Sequence, residues 1–190
     1  MKLVVLGLSI TSSWGNGHAN TWRALLSAFA ARGHEITFLE RDVPWYAAHR
    51  DLADCSYARV VLYKDLHTLQ REHTAVIRAA DAVIVGSCVP EGVRVGEWAL
   101  LTARGLVAFY DIDTPITLAK LRRGDHEYLS PELVRRYPLY LSFSGGPVLQ
   151  TLEQEFRCPH ARTLYCAVDP ALYHSDIETA RWDLGYLGTY

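Results

Sequence analysis

Two stretches of this chain bring together residue types that can do chemistry. The first is Ser12-Ser13-Trp14-Gly15-Asn16-Gly17-His18. It follows the apolar run Leu3-Val4-Val5-Leu6 and precedes a helical pattern with Trp22, Leu25, Leu26 and Phe29 on one face. A strand, a glycine-bearing turn and a helix start, in that order, present unpaired backbone N–H groups to an anion, and the helix dipole adds to the attraction. Gly15 and Gly17 allow φ > 0 and close approach of a ligand. Ser13, Asn16 and His18 can hydrogen-bond to it. A phosphate, a sugar or a carboxylate suits such a loop. A plain strand-to-helix turn would also explain the glycines, but Trp14 and His18 are expensive choices for a turn alone.

The second stretch is Phe109-Tyr110-Asp111-Ile112-Asp113-Thr114-Pro115. A strand ends there in two carboxylates, and Pro115 then opens a helix in its favoured first position. Asp113 or Thr114 would be the helix cap. Asp111, at a strand C-terminus, is expected to face the crevice where parallel sheets bind ligands. Asp111, Asp113 and His18 are therefore the candidate catalytic groups. Two more small polar turns, Ser87-Cys88-Val89-Pro90-Glu91-Gly92 and Ser142-Phe143-Ser144-Gly145-Gly146-Pro147, belong to the same sheet edge. Ordinary strand-to-helix turns have this composition too. Four such loops together outline a polar cleft, with Ser13, Trp14, Gly15, Asn16, Gly17, Ser87, Thr114, Ser144 and Gly145 as candidate substrate-binding residues.

Other residues remain open to two readings. Glu40, after the second strand, can hold a ribose or form a surface pair with Arg41. Trp45 and Tyr46 can stack on a sugar or base, or cover the core. Gly7-Leu8-Ser9 and Gly15-Asn16-Gly17 do not complete a dinucleotide fingerprint, and no Gly-Lys-Ser/Thr follows to make a phosphate-binding P-loop.

The elements that must position these groups alternate from end to end. Strands are expected at 2–10, 35–40, 82–87, 106–111, 139–143 and 162–166. Helices are expected at 19–32, 66–80, 93–104 and 146–155, with glycines closing those at 32 and 104. Residues 41–64 read as a long loop, and 114–138 as an excursion with short helices near 118–123 and 131–136. The strands are nearly continuous apolar runs, as where helices cover both faces. The fold class is α/β: a doubly wound, Rossmann-like, mostly parallel sheet.

Composition limits the function. The chain has 190 residues, 49% hydrophobic, with net charge −2, enough for one α/β domain with a core and without the basic face nucleic acid requires. No apolar stretch has membrane-span length and no signal peptide opens the chain. The four cysteines form no C-x-x-C pair and the remaining histidines show no ligand spacing, so neither a metal nor another cofactor is expected. Cys88 and Cys166 read as buried small hydrophobes, and the location as cytoplasmic.

At this level the chain resembles the N-terminal domain of a GT-B glycosyltransferase, of the spore-maturation (CgeB-like) group within the glycosyltransferase-4-like class. The likeness is carried by the Gly15-Asn16-Gly17-His18 loop, Phe38-Leu39-Glu40-Arg41-Asp42-Val43-Pro44-Trp45-Tyr46, Phe109-Tyr110-Asp111-Ile112-Asp113-Thr114-Pro115-Ile116-Thr117-Leu118 and Leu164-Tyr165-Cys166-Ala167-Val168-Asp169-Pro170-Ala171-Leu172-Tyr173. Gly185-Tyr186-Leu187-Gly188 is similar to the opening strand of a second domain. The resemblance implies a Rossmann-like acceptor-side domain over 1–175, and a linker with the first strand of a donor-binding domain over 176–190. It implies transfer of a sugar from a nucleotide-sugar donor to a small-molecule acceptor. The donor-binding C-terminal domain would be supplied in cis or in trans, and the chain would be inactive alone. On this likeness the Gly15–His18 loop faces the donor diphosphate or the acceptor, and Asp111 and Asp113 line the acceptor side. A stand-alone α/β module that binds a sugar or nucleotide without turnover is the alternative. A nicotinamide-dependent oxidoreductase is disfavoured by the missing glycine.

Overall fold

The apolar runs assemble into one sheet. The computed structural model describes residues 1–174 and 182–185. Its strands are β1 (Lys2–Gly7), β2 (Glu35–Arg41), β3 (Arg59–Tyr63), β4 (Ala82–Gly86), β5 (Leu106–Asp111), β6 (Leu139–Ser142) and β7 (Ala161–Thr163). They lie in the order β3-β2-β1-β4-β5-β6-β7 with every neighbouring pair parallel. Parallel neighbours need crossovers, and these contain α1 (His18–Ala31), α2 (Pro44–Ala47), α3 (Leu66–Ala79), α4 (Gly92–Thr102), α5 (Thr114–Arg122), α6 (Pro131–Arg136) and α7 (Pro147–Gln154). This is the doubly wound α/β architecture expected, with a sheet wholly rather than mostly parallel.

Strand alternation feeds two cores. Leu3 and Val5 of β1 pack with Ile36, Phe38, Ile84 and Tyr110 against Trp22 and Leu26 of α1. Val4 and Leu6 join Leu39, Val83, Val85 and Phe109 on the opposite face, under Leu69, Val95 and Leu133. Trp22 meets Tyr110 edge-on at 5.3 Å, an arrangement aromatic rings favour. It locks the first turns of α1, which begins at His18, against the centre of the sheet.

Three expectations need correction. Residues 41–64 are not a structureless loop, because Val60-Val61-Leu62-Tyr63 forms most of the edge strand β3, in register with Thr37–Arg41. A short, half-exposed apolar run beside many charges carried too weak a signal. Gly105 does not cap α4. A Cβ there would lie 2.2 Å from the Asp81 carbonyl oxygen, so glycine permits a close backbone approach. Cys166 is exposed rather than buried. Trp182 to Gly185 are exposed, while most of the expected terminal strand, 186–190, lies outside the described residues. No helix among the described residues is long and apolar enough to cross a membrane.

Candidate active site

The strand order reverses direction at β1, whose neighbours are β2 and β4. Loops leaving the C-terminal ends of β1 and β4 therefore diverge and open a crevice between them. His18, the first residue of α1, stands at this point. Its Nε2 lies 2.7 Å from Oδ2 of Asp113, just beyond β5. The same oxygen accepts from the Ser87 hydroxyl at 3.4 Å and faces the Cys88 thiol at 3.6 Å. Ser87 Oγ in turn accepts from the Ile112 N–H at 3.0 Å, tying the β4 and β5 loops together.

Electrostatics assign the protons. The hydrogen bond from His18, ahead of the smaller bonds from Cys88 and Ser87, holds Asp113 below the usual carboxylate range. An ionised Asp113 requires Nε2–H on His18, and the other ring nitrogen, Nδ1, is buried with no hydrogen-bond partner among the described residues. The Cys88 thiol is pushed up to about 12 by burial first and by Asp113 second, so it is protonated at neutral pH. Asp113 is the N-cap of α5 by position, yet its side chain makes no cap hydrogen bond. The carboxylate is turned to His18 instead.

Asp111 does not face the crevice, which corrects the expectation drawn from its place at a strand end. Its carboxylate is fully buried, with Tyr140 Oη at 2.5 Å from Oδ2 and Thr117 Oγ1 at 2.8 Å and the Asp113 N–H at 3.0 Å from Oδ1. Burial pushes its pKa up to about 6 despite these donors. Thr114 is also wholly buried, its hydroxyl 2.8 Å from that of Ser142, and so is not a substrate contact. Both residues support the loop that presents Asp113.

The β1–α1 loop is fixed by a residue whose role the sequence did not disclose. Glu40 is fully buried and accepts from Ser9 Oγ, Ile10 N, Thr11 N and Thr11 Oγ1 at 2.6–3.0 Å. It binds neither ribose nor Arg41, which pairs with Glu91 at 2.6 Å. Beyond it, Ser13 donates twice to Asp51, which Arg23 also grips. Arg23 is the main reason that Asp51 is held at about 2. Asn16 is consumed within the loop. Its Nδ2 donates to the Ser12 carbonyl, and its Oδ1 accepts from the Ala19 N–H at 3.1 Å, closing one first-turn donor to any anion. Gly15 has φ 65°, as a glycine turn requires, but Gly17 does not. Trp14 is half-exposed and stacks on His49 at 4.2 Å. Tyr46 is buried and covers the core, whereas Trp45 is exposed.

The structure thus brings His18, Asp113 and Ser87 together, and adds Cys88. Ser13, Trp14, Gly15, Asn16 and Gly17 form one lip of the crevice. Ser144 and Gly145 follow β6, three strands from β1, and Gly145 packs under Tyr165. They do not join the His18 cluster. Cys88, at φ 61°, and Glu91, at φ 55°, hold left-handed backbone in the loop after β4, a conformation that non-glycine residues avoid.

Among solved structures, an α-glucosyltransferase in complex with UDP and a 13-mer DNA containing a central A:G mismatch is similar at TM-score 0.57 and 16% identity, over 93% of this chain and 44% of that one. An α-glucosyltransferase in complex with UDP gives 0.59 at 16% identity, over 89% and 45%. At this identity the likeness shows the fold, a Rossmann-like α/β domain. The chain spans less than half the length of these proteins. No family profile matches the chain, and no curated protein does.

Proposed function

We propose that this chain is the acceptor-side domain of a GT-B glycosyltransferase that moves a sugar from a nucleotide-sugar donor to a small-molecule acceptor. The observation that carries the reading is the part-buried His18–Asp113 pair at the switch-point crevice, 2.7 Å apart, in a fold shared with UDP-bound glucosyltransferases. The motifs point, within that class, to the spore-maturation group. A donor-binding domain in cis or in trans completes the cleft, in keeping with the share of the neighbours that the chain spans, and the chain alone is inactive. Free rather than bridged cysteines accord with a reducing, cytoplasmic setting.

In this reading the acceptor hydroxyl oxygen bonds to the anomeric carbon while the bond to the diphosphate oxygen breaks. The hydroxyl proton passes to Asp113, the part-exposed member of the pair, while the buried His18 holds that carboxylate through Nε2. Asp111 and Thr114 act only by positioning Asp113.

The test is release of UDP and transfer of sugar across a panel of nucleotide sugars and acceptors, with the chain joined to its donor domain. The isolated chain should bind UDP with Kd above about 0.1 mM and release nothing. In the joined protein, His18→Ala and Asp113→Asn should each lower kcat by about 10²–10⁴-fold, with far less change in KM. A joined, folded protein inert to the whole panel overturns the reading.

A further inference from the structure

We propose that the crevice floor is a binding site for one divalent transition-metal ion, zinc above all, held by His18, Cys88 and Asp113. Their donor atoms (an imidazole nitrogen, a thiol sulfur and a carboxylate oxygen) lie within 4.8 Å of one another. They arrive from three elements: the start of α1, the loop after β4 and the loop after β5. Residues so far apart in the chain have no ligand spacing, which is why sequence reading expected no metal. Nitrogen, sulfur and carboxylate oxygen are the ligand types of zinc, and three protein ligands with an open fourth position mark a reactive rather than a structural site.

One of the three ligand distances already suits the ion. Bonds of about 2.0–2.3 Å in a tetrahedron place ligand atoms roughly 3.3–3.6 Å apart. Cys88 Sγ and Asp113 Oδ2 are already 3.6 Å apart. His18 Nε2 and Asp113 Oδ2, now at 2.7 Å, must open by about 0.6 Å. Rotation of the Asp113 carboxylate, whose side chain is 29% exposed, supplies that movement.

Charge favours a cation. Among the described residues Asp113 has an ion-pair contact with His18 and with no lysine or arginine. A diphosphate entering the crevice would meet that negative charge directly. One divalent ion with one thiolate and one carboxylate leaves the site neutral. Cys88 packs against the core and keeps its sulfur beside Asp113.

His18 is 6% exposed and its Nδ1 has no partner. Ligation through Nε2 replaces its bond to Asp113 with one to the metal and leaves the ring proton on the buried Nδ1. The Cys88 thiol loses its proton to solvent as the sulfur–metal bond forms, the imidazole stays neutral, and no electron is transferred. Binding the ion does not depend on sugar transfer.

Cobalt(II) titrated into the reduced full chain is the probe. A thiolate-to-cobalt charge-transfer band should saturate at one equivalent, vanish on adding zinc and be absent in Cys88→Ser. One proton should be released per ion. Asp113→Asn should weaken binding by about tenfold or more. The double variant Cys55→Ser/Cys166→Ser, which keeps Cys88, should retain the band, so the question is answered even where Cys88→Ser fails to fold. No band in the wild-type chain, a band surviving in Cys88→Ser, or its loss in the double variant overturns the proposal. Sugar transfer is not a readout, so failure here leaves the glycosyltransferase reading standing, and the reverse also holds.

Discussion

At the end of β5 two carboxylates leave the chain within three residues, one into the layer beneath the crevice and one onto its floor. Asp111 is sealed among Tyr140, Thr117 and the Asp113 backbone. Asp113 is part-exposed and meets His18, Ser87 and Cys88. The same side chain is thus a support in one place and a candidate reagent in the next. Pleating decides which, because residue 111 still belongs to the strand and residue 113 has left it. Burial pushes the pKa of Asp111 up, and the His18 hydrogen bond draws that of Asp113 down. Glu40 repeats the Asp111 pattern across the crevice, as a buried carboxylate whose donors lie in the loop it shapes.

The largest effect that can test this contrast is expected at Glu40. Glu40→Ala leaves two buried N–H groups and the Thr11 hydroxyl without their acceptor and should lower unfolding stability by about 3–5 kcal/mol in urea titration. A loss below 1 kcal/mol would mean that the β1–α1 loop holds itself.

Asp111 comes next, through pH. Its folded pKa is raised, so the native state binds more protons than the unfolded chain between about pH 4 and 6. Its contribution is fully present below the unfolded value and is lost as pH rises through about 6. Stability of the wild type relative to Asp111→Asn should fall by roughly 2–3 kcal/mol across that window. A flat difference would show the carboxylate to be hydrated.

Asp113 should give the opposite slope and a smaller size. Its folded pKa is depressed, so its contribution exists above the unfolded value and disappears as pH falls through the folded one. Relative to Asp113→Asn, the wild type should gain about 1 kcal/mol or less above the ordinary carboxylate range, because the group is part-exposed. Equal slopes for the two aspartates would break the comparison. Smallest of all, Trp14→Ala should change stability by no more than about 0.5 kcal/mol, since its indole lies half in solvent on His49. A larger loss would make the lip part of the core.

Much of the fold was legible because its signals are local. Uninterrupted apolar runs such as Leu3-Val4-Val5-Leu6 announce strands covered on both faces, and Trp22 and Leu26 recur at helical spacing. β3 was not legible, since an edge strand half in solvent lacks the apolar continuity of a central one. At the site, His18 and Asp113 could be proposed because each ends or begins an element at the ligand-bearing edge. Asp111 and Thr114 satisfied the same rule and are buried. Glu40 could be read as a ribose ligand or as half of a surface pair with Arg41, but its partners are Ser9, Ile10 and Thr11, 29–31 residues away, because adjacency in the chain is not adjacency in space.

The sequence by itself determined the class of fold, the loops at the C-terminal edge of the sheet and the residue types available there, since strand periodicity and turn chemistry depend on near neighbours. Only the tertiary structure decided which carboxylate reaches the crevice and which supports it. It also decided that a histidine, a cysteine and an aspartate separated by up to 95 positions share one oxygen atom as their meeting point. Those outcomes depend on strand order and on the diverging loops at β1 and β4, quantities that no local stretch of chain contains.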